Sequence, residues 1–265
     1  MTSFTPSIAE LRDVVQPPAH LGRASGEHWA GRLYMRRVSP YLTRALLGTP
    51  ISANGVTWLM LPAGLLAAAC LTLPGLLGAL GAVAFVQLQL LFDCCDGEVA
   101  RWRGESSPAG VYLDRIAHHV TDAALPAALG VRAAGGWDGL DGWTMLGLLV
   151  AVLALLIKAE SHLVVVARAE SGLPRAPDTT ATAAPRPTGL SRVRRALAFA
   201  PFFRAFVTVE FTVLALAAAI VDAIAGDLVG TRVLLVALVP VAVLTALGHL
   251  VAVLTSDRLR AGPAA

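Results

Sequence analysis

Residues 93–118 read DCCDGEVARWRGESSPAGVYLDRIAH, and the reading of this chain turns on them. The residues before this stretch, Leu76–Phe92, and those at its end and beyond, Ile116–Val131, are apolar. The polar connection Trp102–Ala109 is short enough to fold two helices back on each other as antiparallel neighbours. Asp93 and Asp96 are three residues apart, so a helix puts them on one face; Asp114 and His118 are four apart and share a face too. The four groups can then meet at one point at the mouth of two apolar segments. Charged groups at membrane depth are costly and are functional candidates by default.

Working outward, further apolar runs follow the same pattern. Six are long enough or nearly long enough to span a bilayer, which takes about 20 helical residues: Val56–Leu73, Leu76–Phe92, Ile116–Val131, Trp143–Val166, Phe206–Ile224 and Val233–Leu254. The expected fold is all-α, a polytopic membrane protein with six transmembrane helices and an N-terminal juxtamembrane amphipathic helix. Composition agrees: 56% of the 265 residues are hydrophobic and only 15% charged, against roughly 25% charged in soluble domains. The same figures exclude a disordered chain. Three cysteines, Cys70, Cys94 and Cys95, lie in or beside apolar runs and read as small buried hydrophobes rather than a disulfide framework.

The basic residues give an orientation. With the N-terminus in the cytoplasm, of the 21 lysines and arginines only Arg132 and Arg232 fall outside, and Lys158 falls within a span. This bias predicts both termini on the cytoplasmic side of the cell's inner or plasma membrane. The net charge of +3 then reflects an anionic lipid surface, and no nucleic-acid partner is expected. No cleavable secretory signal and no repeat of fixed period is read. Residues 1–26 are expected as a mobile tail, 27–256 as one membrane domain, and 257–265 as a second tail. Glu27–Leu47 mixes Trp29, Leu33, Tyr34, Val38, Tyr41 and Leu42 with arginines, as an amphipathic helix on the inner membrane surface would, with Pro40 as a kink or restart. Ser171–Thr188 reads as a flexible loop and Gly189–Phe203 as a basic amphipathic run.

Three close carboxylates repel one another unless a cation neutralises them. An all-aspartate set suits Mg²⁺ or Mn²⁺ better than zinc, and such an ion with an open side clamps phosphate oxygens. Gly97, Ala100 and Gly110, on the same helices, let a ligand or a neighbouring helix approach the backbone.

This pattern resembles the CDP-alcohol phosphotransferase signature, D-x2-D-G-x2-A-R-x8-G-x3-D-x3-D. Asp93, Asp96, Gly97, Ala100, Arg101, Gly110 and Asp114 occupy all its fixed positions but the last. Upstream, Arg36–Arg44 and Thr49–Thr57, with Asn54, are similar to the juxtamembrane helix and first-span start of the family's inositol-phosphate branch. The resemblance covers about Glu27–Leu254. It implies a six-helix membrane fold, usually dimeric, that transfers a phosphatidyl or phospho-alcohol group from a CDP-linked lipid donor to a small alcohol acceptor in phospholipid biosynthesis, releasing CMP. By the same resemblance Asp93, Asp96, Asp114 and the residue at 118 would bind Mg²⁺ or Mn²⁺. Asn54, Gly97, Ala100, Arg101 and Gly110 would line the nucleotide site. The last signature aspartate is the expected base, and here His118 stands in its place.

Three readings of His118 follow: a base, oriented by Asp122 one turn on; a nitrogen ligand that alters or loses a second metal; or the mark of a protein that binds nucleotide without turnover. The last gives the alternative function, a non-catalytic membrane nucleotide- or lipid-binding protein. A transporter fits poorly, because the acidic cluster sits at one face and not at the midplane. Lys158, Glu160 and His162 put polar groups in the fourth span, and Glu210 one in the fifth. Lys158, with Arg192 and Arg195 of the basic run, is a candidate for the acceptor's phosphate; internal ion pairs and headgroup contacts are the competing readings.

Overall fold

A computed structural model describes residues 6–17, 29–139, 141–174, 205–256 and 259. Arg192 and Arg195, the basic run Gly189–Phe203 and most of the 171–188 loop lie outside the described residues. Among those described the fold is all-helical, and the helices divide between two compact units.

The first unit comprises Met1–Cys70 and Leu80–Thr121. Its first helix, α1 (Ile8–Val15), lies within the expected mobile tail. A capping box starts it: the Ser7 hydroxyl accepts from the Glu10 amide at 3.2 Å, and the Glu10 carboxylate accepts from the Ser7 amide at 2.8 Å. Leu11 and Val15, one turn apart, are fully buried. A π-helical turn, Gly31–Met35, leads directly into α2 (Arg36–Leu47). Pro40 does not break this helix. Having no N–H, it leaves the Arg36 carbonyl without its helical donor, and the Gln16 side-chain amide fills the gap at 2.9 Å. Helix α2 is amphipathic, as expected: Ser39, Thr43 and Leu46 are buried, while Val38 and Tyr41 are exposed.

Helix α3 (Ala53–Thr72) buries Ala53, Val56, Met60, Ala63 and Ala67 and exposes Trp58, Leu59, Leu65 and Leu66. That is the inverse of a soluble amphipathic helix and suits an apolar solvent. Helix α4 (Gly75–Arg103) runs straight through the first half of the quoted stretch, and α5 (Pro108–Ala134) carries the second half. Leu46, Ala53, Val56, Cys95 and Val99 pack as one cluster; the cysteines are free, and Cys94 and Cys95 are buried. Helices α3, α4 and α5 meet at Thr121, whose hydroxyl donates to the Ala117 carbonyl and accepts from Gln89. A Cβ on Gly64 would fall 2.0 Å from that hydroxyl oxygen, so glycine sets the approach of α3 to α5.

The second unit comprises Leu71–Ala79 and residues from Asp122 onward. It contains α6 (Gly142–Glu170), α7 (Thr208–Ala225) and α8 (Val229–Thr255), with α8 packed on both others. Gly147 and Gly130 let the C-terminal part of α5 and α6 touch backbone to backbone. Arg132, 2% exposed, is the largest fully enclosed side chain there. It donates to the Leu73 and Gly75 carbonyls at 2.9 and 3.0 Å and to the Thr231 hydroxyl at 3.2 Å, and it pairs with Asp222 at 3.7 Å.

Five helices, α3, α4, α6, α7 and α8, are long and apolar enough to cross a membrane. The chain is a polytopic, integral membrane protein by that measure. Helix α5 has the length, 27 residues, but carries Asp114, Arg115, Asp122 and Arg132 among its apolar residues.

Candidate active site

The first unit gathers the quoted residues at the junction of α4 and α5. His118 Nε2 lies 3.2 Å from Asp93 Oδ1 and 3.4 Å from Asp114 Oδ1. One ligand atom from each of these three residues falls within 4.8 Å of the others. All three side chains are about one-third exposed, so the group is open on one side. Both His118 contacts use Nε2; neither uses Nδ1.

Asp96 stands apart from this set. It is almost fully buried, and its Oδ2 accepts from the Thr57 hydroxyl at 2.7 Å. The helical face shared by Asp93 and Asp96 therefore points one carboxylate into the open group and the other toward α3. The Asp122 carboxylate accepts from the Thr208 hydroxyl at 2.8 Å and is paired with Lys158, all within the second unit.

The small signature residues make space for particular neighbours. A Cβ on Gly110 would sit 2.7 Å from the Asn54 side-chain oxygen. Asn54 in turn reaches the Ser107 hydroxyl at 3.5 Å, which accepts the Gly110 amide at 3.1 Å and so caps the start of α5. A Cβ on Gly97 would lie 3.1 Å from Arg101 Nη1. The Arg101 Nε donates to the Val15 carbonyl at 2.6 Å. Ala100 packs against the cluster around Val99. The connection between α4 and α5 is tied to the start of α3: Arg103 donates to the Thr49 and Ile51 carbonyls, and Glu105 accepts the Ala53 amide.

Of the acceptor candidates, Lys158 is engaged with Asp122. Its neighbour Glu160 pairs with His249 at 2.7 Å.

Sequence reasoning missed Glu98. This residue is 0% exposed, and its carboxylate accepts from Ser39 at 2.6 Å, Thr43 at 2.7 Å, Gln16 at 2.8 Å and Arg36 at 3.3 Å. It also missed α1, although Ser7-Ile-Ala-Glu10 before Leu11 is a capping-box pattern that could have marked a helix start.

Residues 51–220 match the family model for CDP-alcohol phosphatidyltransferase. The chain belongs to that family. A curated relative, the bifunctional IPC transferase and DIPP synthase of Rubrobacter xylanophilus, is 42% identical over 108 residues. The match takes in 37% of this chain and 23% of that protein, so the chain spans less than a quarter of the relative's length. The crystal structure of Mycobacterium tuberculosis phosphatidylinositol phosphate synthase with CDP-DAG bound aligns at a TM-score of 0.53 and 19% identity, over 86% of this chain and all of that one. At that identity the likeness shows a shared fold. The matched stretch contains the residues assembled between α4 and α5.

Proposed function

We propose that this protein moves a phosphatidyl or phospho-alcohol group from CDP-diacylglycerol to the hydroxyl of a small alcohol, releasing CMP. The observation that carries the reading is the convergence of Asp93, Asp114 and His118 on one open group within the family signature. The acceptor oxygen bonds to the phosphorus bearing the lipid alcohol, the P–O bond to CMP breaks, and the hydroxyl proton passes to a base. A lipid donor fits a membrane-embedded site, and CDP-DAG in the structural neighbour supports it. That neighbour's name makes a phosphorylated polyol the first acceptor to try, ahead of glycerol phosphate, free polyols and serine.

The donor set fits a divalent cation: two carboxylate oxygens and an imidazole nitrogen lie within one coordination sphere's reach. Such a cation would neutralise the donor's pyrophosphate and the charge that builds on the leaving CMP. A nitrogen in the set favours Mn²⁺ over Mg²⁺, which prefers oxygen ligands. In this reading Asp93, Asp114 and His118 are the ligands, and Asp96, held by Thr57, is a supporting carboxylate. Asn54, Gly97, Ala100, Arg101 and Gly110 form the nucleotide side. Lys158, Arg192 and Arg195 remain the acceptor candidates.

One observation favours a second role for His118. Its contacts are all made through Nε2, so two carboxylates orient the ring and Nδ1 is left to take the acceptor's proton. As a base, His118→Ala loses turnover and keeps metal and CDP binding; as a ligand, it loses all three.

The arrangement in the membrane completes the reading: α5 crosses as a sixth span, both termini and the site face the cytoplasm, and the protein is a homodimer. The deciding experiment incubates purified protein with CDP-diacylglycerol, Mg²⁺ or Mn²⁺ and each alcohol, following CMP release and product mass. Donor binding without CMP release for any alcohol would favour the non-catalytic alternative.

A further inference from the structure

Helix α1 lies outside residues 51–220, the part of the chain that the family model matches, yet its C-terminal end is bonded to the signature helix. The bonds reach backbone carbonyls and one buried carboxylate. Val15 ends α1, and its carbonyl belongs to the last turn, where no intrahelical donor remains. Arg101 Nε supplies that donor at 2.6 Å, a cation at the negative end of a helix. Gln16 Nε2 lies between the Arg36 carbonyl freed by Pro40 and the buried Glu98 carboxylate, at 2.9 and 2.8 Å. Arg12 adds a bond to the Arg37 carbonyl at 3.1 Å. Leu11 and Val15 on the helix's apolar face are fully buried.

The consequence falls on Arg101. Its guanidinium is pinned at Nε, while Nη1 and Nη2 lie over the backbone of Gly97, where a side chain would crowd them at 3.1 and 3.4 Å. The described hydrogen bond of Arg101 uses neither of these two nitrogens. A guanidinium held at one edge with its fork open is prepared to receive two oxygens of a phosphate.

We propose that α1 is a positioning element of the donor site: by docking against Arg101 and Glu98 it holds the Arg101 fork toward the phosphates of the CDP-linked donor. The inference rests on the function proposed above. Undocking α1 leaves Arg101 to be ordered by the donor itself, and immobilising one long side chain on binding weakens affinity by roughly three- to tenfold.

Two full-length variants undock the helix by different means. Leu11→Asp puts a charge into its buried face, and Gln16→Glu sets a carboxylate against Glu98. Each is made in the parent and in an Arg101→Ala background. Binding of CDP-diacylglycerol in detergent with Mn²⁺ is measured by calorimetry, turnover as kcat and KM, and folding by thermal melting. The expected result is a donor Kd raised three- to tenfold in the parent, kcat within about twofold, and no further loss in the Arg101→Ala background. Where Leu11→Asp does not fold, Gln16→Glu carries the test. An unchanged Kd on undocking, or the same loss in both backgrounds, overturns the proposal. Absence of donor binding by the unmodified protein would instead overturn the assigned function.

Discussion

Arg132 offers the sharpest test of how the second unit is held together. It is enclosed, with three hydrogen bonds and an ion pair to Asp222, which itself receives both the amide and the hydroxyl of Thr231. One guanidinium thus ties the α3–α4 connection, the end of α5 and the start of α8. Arg132→Met keeps the volume and the apolar stem but strands Asp222 as an unpaired buried charge. Removing one partner of a buried pair costs about 3–5 kcal/mol. For a chain of this size each kcal/mol moves the melting temperature by about 2–4 °C, so a fall on the order of 10 °C is expected. Adding Asp222→Asn removes the stranded charge and keeps an acceptor for Thr231, so the double variant should regain roughly half of the loss. Thermal melting of detergent-solubilised protein by fluorescence-detected size exclusion reads both. A fall below about 2 °C for Arg132→Met, or an additive loss in the double variant, would refute the account.

Three further outcomes follow from the first unit. Gly64→Ala drives a Cβ into the Thr121 hydroxyl, which Gln89 and Ala117 hold in place; it should cost about 1–3 kcal/mol, and Thr121→Ala should relieve part of that in melting experiments. Glu98→Ala leaves Ser39, Thr43 and Gln16 without their shared acceptor, and a loss of about 3–5 kcal/mol is expected. Asp93→Asn should abolish metal-dependent CDP binding measured by calorimetry while leaving the melting temperature within a few degrees, because Asp93 is partly exposed.

Five of the six expected spans were legible as long apolar helices because membrane crossing is coded locally, by the length and apolarity of one continuous segment. The carboxylate–imidazole group was legible for a related reason: Asp93, Asp114 and His118 are brought together by helical periodicity and one short connection. Asp96 lies apart from that group because periodicity fixes a face but not the neighbour it meets, and the Thr57 hydroxyl on α3 donates to it. Glu98 was invisible for the same reason in stronger form. Its partners, Gln16, Arg36, Ser39 and Thr43, lie more than fifty residues away in sequence. Nothing near Glu98 distinguishes a buried hub from a charge at a helix end.

The two arginines that the orientation argument left on the outer side sharpen this point. A positive-inside count treats Arg132 and Arg232 as exceptions of equal kind, weighed against the other basic residues. The structure gives both a packing role. Arg132 is enclosed as described, and Arg232 donates to the Ala133 carbonyl at 3.0 Å with its guanidinium 5.2 Å from the Trp143 ring. Both satisfy backbone carbonyls at helix ends, where hydrogen-bond acceptors outnumber donors. A cation used in this way is fixed by the fold and carries little information about which side of a membrane it occupies. Arg101, Arg103 and Arg168, counted on the inner side, also donate to backbone carbonyls, so the same discount applies to them. Lys158 too has a structural use: it pairs with Asp122, itself held by Thr208. A phosphate acceptor would have to compete with that carboxylate for the ammonium group.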